Sequence, residues 1–281
     1  MKLVRFGEKG FEKPGLLDAT GGVRDLSGVA GDFDGVGLAP AALARIAALD
    51  PARLPLVPKG VRLGACVARP GKILCIGKNF KDHAAEMKSD VPSEPLLFMK
   101  ATSALNGPFD GVPIPRGSIK IDYEGELALV IGRQAKYVSR SEALSHVAGY
   151  FIMNDVSERA FQNERGGQMT KGKSCDGFAP MGPWLVSADD VPDPQALRIR
   201  TRVDDEVRQD GSTADMVFPV DEIISYLSQF FTLYPGDVIS TGTPHGVAAG
   251  MTPPGWVRPG QRVSVAIDGL GELCNQFYPD A

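Results

Sequence analysis

Asp122-Tyr123-Glu124-Gly125-Glu126-Leu127-Ala128-Leu129-Val130-Ile131 places two carboxylates one residue apart at the start of an apolar run. Read as one long strand, Ile121–Ile131, it puts alternate side chains on one face, so Glu124 and Glu126 point the same way. Gly125 between them leaves the opposite face open. The apolar remainder predicts a buried strand, where two adjacent glutamates repel each other and burial worsens the conflict. A cation resolves it. Taken alone, Glu-x-Glu is more often a solvated strand face than a metal site.

A second apolar strand, Gly149–Met153, ends at Asn154-Asp155. Asp155 leaving a sheet edge adds a third carboxylate, and three such ligands with water and substrate suit Mg²⁺ or Mn²⁺, hard ions that prefer oxygen. Zinc would recruit histidine or cysteine. Asp155, Arg159 and Gln162 follow at i, i+4 and i+7, one face of a helix predicted over Ser157–Glu164. His83 and Glu86, three apart in a helix predicted over Phe80–Met87 with Asn79 as its N-cap, are neighbours on one face. A carboxylate beside an imidazole suits a general base, and it also fits an ordinary exposed helix face. His146 reads as structural, and His245 lies in a turn.

Outward from these segments the chain reads as a β-rich mixed α+β protein. Short strands are predicted at 2–6, 73–76, 197–203, 237–241, 262–267 and 272–277, and glycine (33) and proline (22) scatter turns among them. Turns are expected at Gly15 and Gly21-Gly22, and helices over 41–49 and 220–231. Ser139-Arg140-Ser141-Glu142 has capping-box spacing for a further helix through Val147. Few strand–helix–strand alternations occur, which argues against a doubly wound sheet. Prolines 51, 55 and 58 break the chain before Arg69-Pro70, so a small N-terminal domain over 1–69 and a larger one over 70–281 are expected.

Composition bounds the function classes. Net charge is −4 with no basic block, which removes the footprint of a nucleic-acid binder. No stretch approaches the roughly 20 apolar residues that cross a bilayer, and the N-terminus lacks a signal-peptide pattern. The four cysteines fit no zinc spacing and read as reduced thiols of a cytoplasmic protein.

Five segments in order, Gly77-Lys78-Asn79-Phe80-Lys81-Asp82-His83-Ala84-Ala85-Glu86, Asp122-Tyr123-Glu124-Gly125-Glu126-Leu127, Asn154-Asp155-Val156-Ser157-Glu158-Arg159, Lys171-Gly172-Lys173-Ser174 and Thr241-Gly242-Thr243-Pro244, resemble the fumarylacetoacetate hydrolase family over roughly residues 70–281. The resemblance implies a mixed β-sandwich roll, a homodimer, and Mg²⁺ or Mn²⁺ on Glu124, Glu126 and Asp155. It implies that the His83–Glu86 helix closes as a lid. It also implies that Lys173 reaches the substrate oxyanion, and that Arg159, Gln162 and Thr243 line the pocket for a 2-keto acid. Some members lack the His–Glu pair and decarboxylate or isomerise; its presence here favours hydrolysis of a carbon–carbon bond in a 2,4-diketo acid of acylpyruvate type. Overall length and the run Gly250–Trp256 are similar to members acting on 2,4-diketo-3-deoxy-sugar acids of the rhamnonate or fuconate kind. Ureidoglycolate lyase and oxaloacetate decarboxylase are the alternatives within the family. A non-catalytic sugar-acid binding protein is a different class, and it has no need of His83, Glu86 and Lys173.

Overall fold

The chain enters a sheet at once. In the computed structural model, which describes residues 1–280, Lys2–Phe6 (β1), Lys13–Leu17 (β2) and Val23–Asp25 (β3) form an antiparallel ribbon. Gly15, expected in a turn, lies inside β2. A helix, Pro40–Ala47 (α1), starts on a proline, whose fixed φ and missing N–H suit a first turn. Ile73–Gly77 (β4), Lys81–Glu86 (α2) and Leu96–Lys100 (β5) follow. Next come Gly125–Ile131 (β6), Val147–Asn154 (β7), Arg159–Asn163 (α3), Met169–Lys173 (α4) and Ala179–Ser187 (β8). Arg198–Val203 (β9), Glu206–Ser212 (β10), Val220–Phe230 (α5), Val238–Ser240 (β11), Arg262–Ile267 (β12) and Gly271–Pro279 (β13) complete the chain.

Two sheets organise these elements. The larger runs in the order β3-β2-β1-β8-β7-β6-β11-β4-β5. It is mixed: β11 and β4 pair in parallel, β6 pairs antiparallel with both neighbours. The second runs β10-β9-β12-β13, with Val112–Ile114 parallel to β13 at its edge. It lies across β6, β7 and β8. The strand-rich mixed α+β class expected from the sequence is the class observed. The N-terminal ribbon extends the larger sheet through β1 and β8, so the seam expected at residues 69–70 runs through a shared sheet.

β6 and β7 are buried along their whole length, so both of their faces are covered, one of them by the second sheet. That explains the near-continuous apolar run instead of alternation. Truncating Leu129 or Ile152, each fully buried, to alanine costs about 2–5 kcal/mol. Gly125 is a consequence of the same packing. A Cβ there would stand 2.4 Å from Thr201 Oγ1 and 2.8 Å from Val265 Cγ1. The face expected to be open is filled by β9 and β12, and only hydrogen fits.

The strand expected over 121–131 is interrupted. Ile121-Asp122 pairs with Ser157-Glu158, the chain breaks at Tyr123-Glu124, and β6 begins at Gly125. The helix expected from Ser157 accordingly begins at Arg159. Asn79 is not a cap either. Phe80 holds the N-cap position of α2, and the Asn79 amide donates to the Phe218 and Thr241 carbonyls and accepts from Phe218 N–H. The Ser139 hydroxyl donates to the Glu142 carboxylate, not a backbone cap contact. In α5, Val220, Ile223, Ile224 and Leu227 face the core as the spacing requires, while Phe230 is exposed.

Candidate active site

Antiparallel register assembles the carboxylates. Gly125 at the start of β6 pairs with Asn154 at the end of β7, so the residues flanking that pair meet at one edge of the sheet. The Asn154 side chain accepts from Glu124 N–H at 3.0 Å, and Asp155 N–H donates to the Glu124 carbonyl at 2.9 Å. Glu124 therefore stands at a strand break fixed by β7. Carboxylate oxygens of Glu124, Glu126 and Asp155 lie within 4.8 Å of one another, all buried.

Buried cations surround them. Lys173, on α4, donates to Glu124 and to Asp155 Oδ2, the latter at 2.8 Å. Arg159 donates to Asp122 Oδ2 at 2.8 Å, to Glu124, and to Gln162 Oε1 at 3.0 Å. Lys100, at the end of β5, donates to Asp155 and to the Val156 carbonyl. Asp122 also accepts from the Ala248 and Ala249 N–H groups. Burial works to raise the Glu124 pKa, yet the charges of Lys173 and Arg159 hold it well below the carboxylate range. Glu126 has no such partner. Burial, reinforced by Asp155 and Glu124, pushes its pKa well above the ordinary value. The Ser240 hydroxyl and the Gly242 N–H are its donors. A divalent cation fits this donor set: three converging oxygen ligands, one of them short of positive charge.

Above the carboxylates lies a cavity of about 290 Å³ whose lining includes His83, Glu124, Glu126, Arg159, Gln162, Lys173 and Thr243. His83 is 7 % exposed, and its Nδ1 is 3.5 Å from Glu86 Oε2. Glu86 accepts from Gly246 N–H at 3.0 Å. A Cβ on Gly250 would overlap the Glu86 side chain, so a glycine there makes room for it. The structure thus gathers the residues singled out in the sequence, with Glu86 behind His83 and Asp155 behind Lys173. Lys173 and Thr243 both line the cavity. Lys173 is also held by the carboxylates, and the Thr243 hydroxyl is engaged, donating to the Gly125 carbonyl and accepting from Gln209 Nε2. His245 is exposed and lines a separate cavity with Asp210 and Asp215; His146 donates from Nδ1 to the Arg133 carbonyl.

Sequence reading passed over Lys100, Asp122, Ser240 and Gln209. Asp122 carried a signal, an acid just before the Glu-x-Glu. Lys100 carried a fainter one, a lone cation ending an apolar strand. Gln209 carried none: its carbonyl accepts Gly125 N–H from the second sheet, a contact between distant segments.

Comparison with known proteins agrees with this arrangement. The profile of the fumarylacetoacetate (FAA) hydrolase C-terminal region matches residues 72–278. Proteins named only as hydrolases from Burkholderia multivorans and Burkholderia ambifaria are 55 % and 54 % identical, over 97 % of this chain and 97 % of theirs. The solved fumarylacetoacetate hydrolase of Exiguobacterium antarcticum is 38 % identical with a TM-score of 0.87, covering 100 % of both chains. The maleylpyruvate hydrolase of Sphingobium sp. SYK-6 is 30 % identical with a TM-score of 0.82, again over 100 % of both. A 2-hydroxyhepta-2,4-diene-1,7-dioate isomerase from Mycobacterium marinum is 32 % identical with a TM-score of 0.75, covering 100 % of this chain and 99 % of that one.

Proposed function

The chain belongs to the fumarylacetoacetate hydrolase family, and from that premise we propose that it hydrolyses a carbon–carbon bond in a 2,4-diketo acid, releasing pyruvate and a carboxylic acid. One observation carries the reading: a buried imidazole backed by the Glu86 carboxylate lines the same cavity as Glu124 and Glu126, on which Asp155 converges from behind. Glu124, Glu126 and Asp155 would hold Mg²⁺ or Mn²⁺, which supplies Lewis acidity toward the 2-keto acid end of the substrate.

The protein's own groups do the rest. His83, oriented by Glu86, takes a proton from water. The hydroxide bonds to C4, the C3–C4 bond breaks, and its electron pair leaves as the pyruvate enolate, which takes a proton at C3. Arg159 and Lys173 place fixed positive charge beside the reacting end, a contribution typically of a few kcal/mol. Leu96, Phe98, Met87 and Met169 wall the cavity and limit water.

The test is pyruvate release from a panel of acylpyruvates and diketo-deoxy-sugar acids, with and without added Mg²⁺ or Mn²⁺. Metal-dependent pyruvate is expected. Carbon dioxide from oxaloacetate, or urea from ureidoglycolate, in place of pyruvate from every panel member would replace this reading with a decarboxylase or a lyase.

A further inference from the structure

We propose that Tyr123 is a positioning residue for the reaction: its hydroxyl seats Gly246, Gly246 seats Glu86, and Glu86 aims the His83 ring. The inference deepens the proposed hydrolysis and rests on His83 as its base.

The contacts run without a gap. His83 turns Nδ1 toward Glu86 Oε2, at 3.5 Å, which leaves Nε2 for water in the cavity. Among the described residues, the partners of the Glu86 carboxylate are that ring and the Gly246 N–H, 3.0 and 3.1 Å from its two oxygens. The position of one backbone N–H therefore sets the carboxylate. Gly246 cannot hold itself in place. It has φ +97°, and a Cβ there would overlap the Arg208 carbonyl oxygen, so the position requires glycine and brings glycine's backbone freedom. The Tyr123 hydroxyl restrains it, donating to the Gly246 carbonyl at 2.8 Å.

The restraint comes from the metal-facing edge of the sheet. Tyr123 is fully buried and precedes Glu124 at the break before β6. Its neighbour Asp122 accepts from the Ala248 and Ala249 N–H groups at 2.7 and 3.1 Å. Residues 122 and 123 thus hold the segment 246–249 by three hydrogen bonds, and that segment holds Glu86. α2 itself supplies less. It has six residues and no side-chain N-cap, too little helix to be rigid alone. The reach from the base to the carboxylates is set through Tyr123.

The test is a double-mutant cycle on the most active acylpyruvate of the panel, with Tyr123→Phe, Glu86→Ala and the pair. Y123F is expected to lower kcat about 5- to 20-fold, with KM and Mn²⁺ affinity within about 2-fold of wild type. E86A lowers kcat by about 100-fold or more, and Y123F adds less than about 2-fold to that loss. Losses that multiply, or a Y123F kcat equal to wild type, would show that Tyr123 does not act through Glu86. Mn²⁺ affinity falling in step with kcat would assign Tyr123 to the metal edge instead. Ring ¹⁵N spectra of histidine-labelled protein, with the His83 signals identified by their loss in His83→Ala, read the same contacts without turnover. The neutral wild-type ring is expected to carry its proton on Nδ1, and Y123F and E86A to move the Nδ1 resonance toward the unprotonated position. A Y123F signal equal to wild type while that of E86A moves overturns the proposal. If no panel member is hydrolysed while both variants move the signal, the reaction assignment fails and the positioning role stands.

Discussion

Two clusters of charged side chains are buried or half-buried in this protein, and they are built on opposite principles. Near the N-terminal ribbon each carboxylate has a guanidinium. Arg5 pairs with Asp32 and Glu12, and Arg62 pairs with Glu12 and Asp110 in fork geometry. Burial opposes the Glu12 charge, but Arg62 and Arg5 outweigh it and its pKa falls. At the sheet edge the balance goes the other way. Glu126 faces Asp155 and Glu124, and its pKa rises. The first cluster is complete as it stands. The second is complete only with a cation added. Perturbed carboxylates held in conflict by a rigid frame mark the working site; matched ones mark structure.

The contrast breaks hardest at Glu126. Replacing it with Gln is expected to weaken Mn²⁺ binding at least about 100-fold and to abolish pyruvate release. The same change should leave the melting temperature of metal-free protein equal or higher, because it removes a buried like charge. A clear drop in that melting temperature would show Glu126 to be structural, as the ribbon carboxylates are. His83→Ala sharpens the comparison next. It should lower kcat by about 10²- to 10⁴-fold while the Mn²⁺ titration stays within a few-fold of wild type; unchanged turnover would remove His83 as the base. Gly125→Ala tests the frame that holds the conflict. Overpacking against Thr201 and Val265 should cost about 1–3 kcal/mol in urea unfolding, and wild-type stability would mean the sheets part easily there.

The smallest effect belongs to the matched cluster. Glu12 has a folded-state pKa below its ordinary value, so its stabilisation is present above the ordinary carboxylate pKa and is lost as pH falls through the depressed one. Glu12→Gln should therefore lower the urea midpoint slightly at pH 7, with the deficit shrinking as pH falls below the ordinary carboxylate range. A deficit that does not shrink with falling pH would point to packing instead of charge.

How much of this was legible beforehand depended on how local the signal was. Periodicity found α5, and apolar runs found β4, β6 and β7. β8 hid behind Pro180, Gly182 and Pro183, residues that usually punctuate strands. Gly15 misled for the same reason, since its place in β2 rests on packing against Phe6 and Val23. In the site, Glu124, Glu126 and Asp155 were readable as carboxylates at strand ends. Their mutual approach depends on the register of β6 against β7, and the cation balance depends on Lys100 and Lys173 arriving from β5 and α4. Neither is written in a local pattern.

Gln209 joins these scales. One amide in the second sheet holds the Gly125 N–H, the Thr243 hydroxyl and the Pro244 carbonyl. The spacing between the sheets is thereby transmitted to the residue between the two glutamates. Anyone improving heat tolerance by repacking Thr201 or Val265 would also be retuning ion affinity, without touching a ligand. In this architecture durability and chemistry share one adjustable gap, and directed evolution for either trait will move the other.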